Sequence, residues 1–199
     1  PADVAAMSTA AVQTLSTAQV QALTTAQVAA LGTAQVQALD TADVALLSTT
    51  QIAALTSRQV QALTTAQVQA LTTAQVAAIE TSDIVGFGTA AIAALSTTQL
   101  AALTTDQIIA LTSDPIGALS SAQLARLSTS QLRAIETGDL PAIASGVIPA
   151  LTTAQTVALT TDQIAALTPS QLRALETADV AALTTAQIVA LTTSQASFI

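Results

Sequence analysis

Every eighth residue of this chain is a large apolar one. Met7, Leu15, Leu23, Leu31 and Leu39 open a series that runs without insertion or deletion to Ile199, and all 25 of its positions are Met, Leu, Ile or Phe. A second series begins at Val4 and Val12 and is Val, Ile or Leu at 23 of 25 places, with Thr156 and Ala196 as the exceptions. The consensus octad is Leu-Thr-Thr-Ala-Gln-Val-Ala-Ala, written out in full at 23–30 and 71–78. A repeat this short and this strict leaves few folds open.

Long regular elements are excluded by the period itself. An α-helix turns about 100° per residue, so eight residues overshoot two turns by roughly 80° and the Leu and Val rows would spiral around it. Coiled coils need about 3.5 or 3.67 residues per turn, and an octad supplies neither. A strand alternates with period two, which would set the Leu and Val rows on opposite faces. Ala and Gln, which fill much of the octad, also disfavour strands.

Capping chemistry gives the octad a structure. Take Leu23, Thr24, Thr25, Ala26, Gln27 and Val28 as N′, N-cap, N1, N2, N3 and N4 of a helix. Thr24 and Gln27 then make a capping box, and Leu23 and Val28 a hydrophobic staple. The N3 place is Gln or Asp in 21 of 25 octads, and the N-cap place is Ser or Thr in 17 of 24. Pro169 falls at N1, the helical position that suits proline. Ser or Thr also fills the following place almost throughout, which leaves a register one residue later open. In either register each octad is a helix of about six residues, stopped and restarted.

So short a helix is not stable alone in water. Stacked octads that bury both apolar rows are the remaining solution, and that is a solenoid. The expected fold is therefore all-α: a single continuous array over 1–199 of about 25 very short capped helices, one per octad. The chain starts mid-pattern without an initiator Met, so it reads as a segment of something longer.

A slower rhythm overlies the octads. Asp takes the N3 place at Asp3, Asp43 and Asp83, spaced by 40 residues, and again at Asp139 and Asp179. Forty residues are five octads, which predicts a five-octad superperiod, either one superhelical turn or one ancestral unit. The interval from Asp83 to Asp139 is 56, two octads more, and the surplus adjoins an irregular Pro/Gly segment at 138–149. Pro141 and Pro149 occupy mid-helix places there, so a kink is expected. Pro115 at N3, and Gly32, Gly88 and Ala144 at N-cap, read as drift within the pattern.

Function is bounded by what the chain lacks. There is no Cys, His, Lys, Trp, Tyr or Asn. The usual zinc, haem and iron–sulfur ligand sets are unavailable, as are Ser-His and Cys-His nucleophiles and a Lys Schiff base. Four Arg against twelve carboxylates, a net charge of −8, exclude a surface that neutralises a phosphate backbone. No apolar run is long enough to span a membrane. No catalytic residue and no cofactor is expected.

The candidate metal ligands are the acidic pairs Asp40/Asp43, Glu80/Asp83, Glu136/Asp139 and Glu176/Asp179, which could hold Ca²⁺ if stacking gathered them. The preferred reading is that they complement the helix dipole and cap the first turn, with no metal. Arg133 with Glu136, and Arg173 with Glu176, are expected to form exposed pairs. Gln13, Gln21, Gln37, Gln61 and Gln69 lie on a further row and should face solvent.

The wording Leu-Thr-Thr-Ala-Gln-Val resembles octad tracts in very large, low-complexity bacterial secreted and surface proteins, with near-perfect copies at 63–70, 71–78 and 183–190. The resemblance implies an extracellular or cell-surface location and a structural role as stalk, fibre, filament or sheath, or as part of an adhesin. The partners expected are other copies, end-to-end or lateral, or flanking repeats. The alternative is a Thr/Ala-rich surface that binds ice or another face. No nucleic acid is expected as a partner.

Overall fold

The computed structural model describes residues 2–197, with side chains from Val4 onward. Phe198, Ile199 and the side chain of Asp3 therefore lie outside the described residues. The described chain is a succession of 22 α-helices and three 3₁₀ helices, one per octad, with no strand. No α-helix exceeds six residues.

The N-cap is the earlier of the two registers. Thr24 is extended at φ −71°, ψ 158° and precedes helix Thr25–Ala30; its hydroxyl accepts from Gln27 N, while Gln27 Oε1 accepts from Thr24 N. The same box opens Ser57–Ala62, Thr65–Ala70, Thr129–Ala134 and Pro169–Arg173. Helices end without a left-handed residue, since no positive φ occurs among the described residues. In Thr25–Ala30 the chain passes instead into an extended Leu31 at φ −63°, ψ 138°, which is the C-cap of one helix and N′ of the next. The octad thus needs no glycine to turn. One apolar residue closes a helix and staples its successor.

Two compact units divide the chain, Pro1–Leu103 and Thr104–Ile199. Within each, the helices stack as an α-solenoid whose core is the two apolar rows. Val28, Val68, Leu71 and Leu95 in the first unit, and Leu124, Leu127, Leu132 and Ile164 in the second, are buried. Within each unit, helices pack on those three octads further along. In the first unit Thr33–Ala38 meets Ser57–Ala62, and Thr41–Leu46 meets Thr65–Ala70. In the second, Thr105–Ala110 meets Thr129–Ala134, and Thr153–Ala158 meets Thr177–Ala182.

Hydrogen bonds between turns link residues 28 and 31 apart, so one superhelical turn takes between three and four octads. The forty-residue spacing of the acidic octads is therefore not one turn of the solenoid. The turn is set by which carbonyls a side chain at N3 can reach, and a five-octad turn would leave those carbonyls out of range.

The prolines change helix type and leave the stacking register alone. Pro141 lies in the 3₁₀ helix Leu140–Ala142 and Pro149 in Ser145–Ala150. Proline cannot donate and crowds the carbonyl four residues back, so i→i+3 bonds such as Val147 N to Ala144 O, 2.9 Å, take over. Leu140, Ile143, Ile148 and Leu151 remain buried in their rows. Gln171 still reaches Leu140 O at 2.7 Å and Ile143 O at 2.6 Å, the spacings found elsewhere. The expected kink finds no counterpart in this stacking.

A third 3₁₀ helix, Ile84–Gly86, has a different cause. A Cβ on Gly86 would run into Ser57 O and stand 2.9 Å from Gln61 N. Here the backbones of consecutive turns touch, and only glycine fits.

Candidate functional site

The polar feature that recurs along the array is the N3 glutamine. Its Oε1 accepts from the N-cap amide of its own helix, as the capping box requires. Its Nε2 does something else: it donates to two backbone carbonyls of the preceding turn. Gln67 Nε2 lies 2.8 Å from Val36 O and 2.8 Å from Leu39 O. Gln59 reaches Val28 O and Leu31 O, and Gln75 reaches Val44 O and Leu47 O. In the second unit Gln155, Gln163 and Gln187 repeat the arrangement at 2.8–3.1 Å. These glutamines are buried, and the amide uses its oxygen and both hydrogens, as a buried amide must. The result is a ladder of side-chain rungs between turns.

The capping box accounts for only the Oε1 half of this glutamine. The overlooked signal is that N3 is never Glu. A capping box works with Glu or Gln, so the use of Gln and never Glu means that the NH₂ group has work of its own.

Two threonine rows flank the ladder and differ in commitment. The N-cap hydroxyls of Thr24, Thr64, Thr72 and Thr160 are spent on N3 amides. The N1 residues Thr25, Thr33, Thr65, Thr73 and Thr129 are exposed. Gln13, Gln21, Gln37, Gln61 and Gln69 are exposed as well. Apolar surface is exposed at Leu46 and Val85 in the first unit, and at Ile109 and Val157 in the second.

The acidic octads do not use their Asp as caps. Asp43, Asp139 and Asp179 are buried at N3, facing the previous turn, while their partners Asp40, Glu136 and Glu176 are exposed. Neither Asp40 nor Glu176, both N-cap residues, makes a side-chain capping bond. Asp43 instead accepts from Thr17 Oγ1 at 3.0 Å, Asp83 from Ser57 Oγ at 2.7 Å and Asp139 from Ser113 Oγ at 2.5 Å, each 26 residues earlier. Asp179 Oδ2 is buried with no hydrogen-bond partner. At Asp43, Asp83 and Asp139 the expected capping bond is thus replaced by a bond to an N1 hydroxyl. The short side chains of Asp43, Asp83 and Asp139 reach across to the previous turn and not back along their own helices.

Among the described residues no three Asp or Glu side chains converge as metal ligands would, so Asp40/Asp43, Glu80/Asp83, Glu136/Asp139 and Glu176/Asp179 remain separate pairs. Arg133 and Glu136 do not form the expected ion pair. No described helix is long and apolar enough to cross a membrane.

The family model of the ALTTAQ repeat matches this chain at 1–33, 28–57, 36–73, 53–79, 76–113, 132–169 and 165–198. No curated protein gives a match.

Proposed function

Since the chain belongs to the ALTTAQ repeat family, we propose that it acts as a structural segment, a stalk, fibre, filament or sheath, of an extracellular or cell-surface protein. The observation that carries this reading is the ladder. Gln59, Gln67 and Gln75 bind the previous turn with the same atoms at the same spacings, as do Gln155 and Gln163 in the second unit. An array in which each octad repeats the last is suited to length and shape, and association with other copies or with flanking repeats would extend it. The location rests on the likeness to octad tracts of secreted and surface proteins. Electron microscopy of the purified chain tests the structural role: uniform rods or filaments support it, and featureless globules overturn it. Protease shaving of intact producing cells tests the location.

A binding surface is the second reading, and the N1 row favours it. Thr25, Thr33, Thr65 and Thr73 are exposed, and their hydroxyls make no hydrogen bond among the described residues. Such a row could order water on ice or dock another face. Thermal hysteresis at millimolar protein would establish ice binding, and its absence would remove that form of the reading.

A further inference from the structure

The ladder has gaps, and the acidic octads supply the most costly of them. Where Gln stands at N3, an NH₂ group faces two carbonyls of the previous turn. Where Asp stands there, the side chain is one methylene shorter and offers only acceptors when ionised. Among the described residues no side chain donates to Leu15 O, opposite Asp43, or to Leu151 O, opposite Asp179. The equivalent carbonyls of Leu39 and Leu47 each hold a rung.

We propose that the acidic octads are yielding points, where one turn of the stack parts from the next before the neighbouring Gln octads do. At Asp43 two amide bonds are exchanged for a single hydroxyl bond from Thr17. At Asp179, 2% exposed, Oδ2 has nothing in exchange. A buried carboxylate beside unpaired carbonyls is the costlier arrangement because charge must be desolvated without full compensation. Ala91, Pro115 and Val147 also lack the amide but bury no charge. An array so built opens at set places and not at random ones, because local opening follows the weakest set of contacts.

Hydrogen exchange read by mass spectrometry on the full chain tests this. In the unmodified chain, amides of Thr41–Leu46 should exchange faster than those of Ser57–Ala62, and those of Thr177–Ala182 faster than those of Thr161–Ala166. Asp43→Gln and Asp179→Gln restore the missing rungs and should slow exchange in their own helices about tenfold. Gln67→Asp should accelerate exchange in Thr65–Ala70 by a similar factor; if that variant does not fold, the two Gln substitutions carry the test alone. Asp162 is exposed on the same kind of helix, so Asp162→Asn removes an equal charge without touching the ladder and should change nothing. Unchanged exchange in both Gln variants, or equal protection from Asp162→Asn, would overturn the proposal.

Discussion

Gln67 Nε2 donates to the carbonyl oxygen of Leu39, 28 residues earlier, at 2.8 Å, while Gln67 Oε1 accepts from Thr64 N at 2.9 Å. One side chain thereby starts its own helix and fastens that helix to the previous turn. Gln67→Glu separates the two roles, because a carboxylate can still accept from Thr64 N but cannot donate to Leu39 O. It should destabilise the chain by about 3–5 kcal/mol, the cost of an uncompensated buried charge. Urea denaturation measures this, and a Glu variant as stable as the parent would refute the rung.

Leu95 is 3% exposed in the Leu row of the first unit. Leu95→Ala should lower stability by about 2–5 kcal/mol, combining lost transfer energy with a residual cavity. An unchanged melting temperature would refute the stacked core.

Two glycines should respond in opposite directions. Gly86→Ala drives a methyl group into Ser57 O and should cost about 1–3 kcal/mol. A Cβ on Gly146 meets nothing within 4 Å and no φ there is positive. Gly146→Ala should therefore stabilise by about 0.4–1 kcal/mol through the unfolded chain. Thermal melts of the pair check the contrast.

Thr156 interrupts the Val row. It is fully buried, and its hydroxyl has only Thr152 O, at 3.3 Å. Thr156→Val keeps the shape and removes a poorly satisfied polar group, so it should stabilise by about 1 kcal/mol. A loss of stability on denaturation would show that the hydroxyl matters more than its geometry indicates.

Calcium is expected to give no heat in isothermal titration, and chelator is expected to leave the melting temperature unchanged. Asp43, Asp83 and Asp139 each use an oxygen on a hydroxyl of the preceding turn, and their partner acids point to solvent. Saturable binding lost in Asp83→Asn and Asp139→Asn would turn these residues into ligands.

What could be read from the sequence was what is local. The capping box of Thr24 and Gln27 spans three residues, so its chemistry is visible in the string, as is the staple of Leu23 and Val28. The length of the superhelical turn was not visible. It depends on Gln51 meeting Val20 O and Leu23 O, and nothing in the spacing of apolar residues names those partners. The acidic octads misled for the same reason. Asp43 near a helix start looks like a cap until the Thr17 hydroxyl from the previous turn is seen to hold it. Pro141 and Pro149 disfavour an α-helix, and a 3₁₀ turn fills the same octad.

The reach of the ladder also bears on how such a chain acquires its structure. Each hydrogen bond between turns joins residues 25 to 31 apart, as from Ser57 to Ser82 or from Gln163 to Leu132. No octad has to wait for a distant part of the polypeptide to be made. Low contact order of this kind favours fast folding, and a repeat array can nucleate anywhere and propagate. About four octads emerging from a ribosome hold the partners for the first rung. Later octads with Gln at N3 add their own rungs on arrival, so folding can keep pace with synthesis.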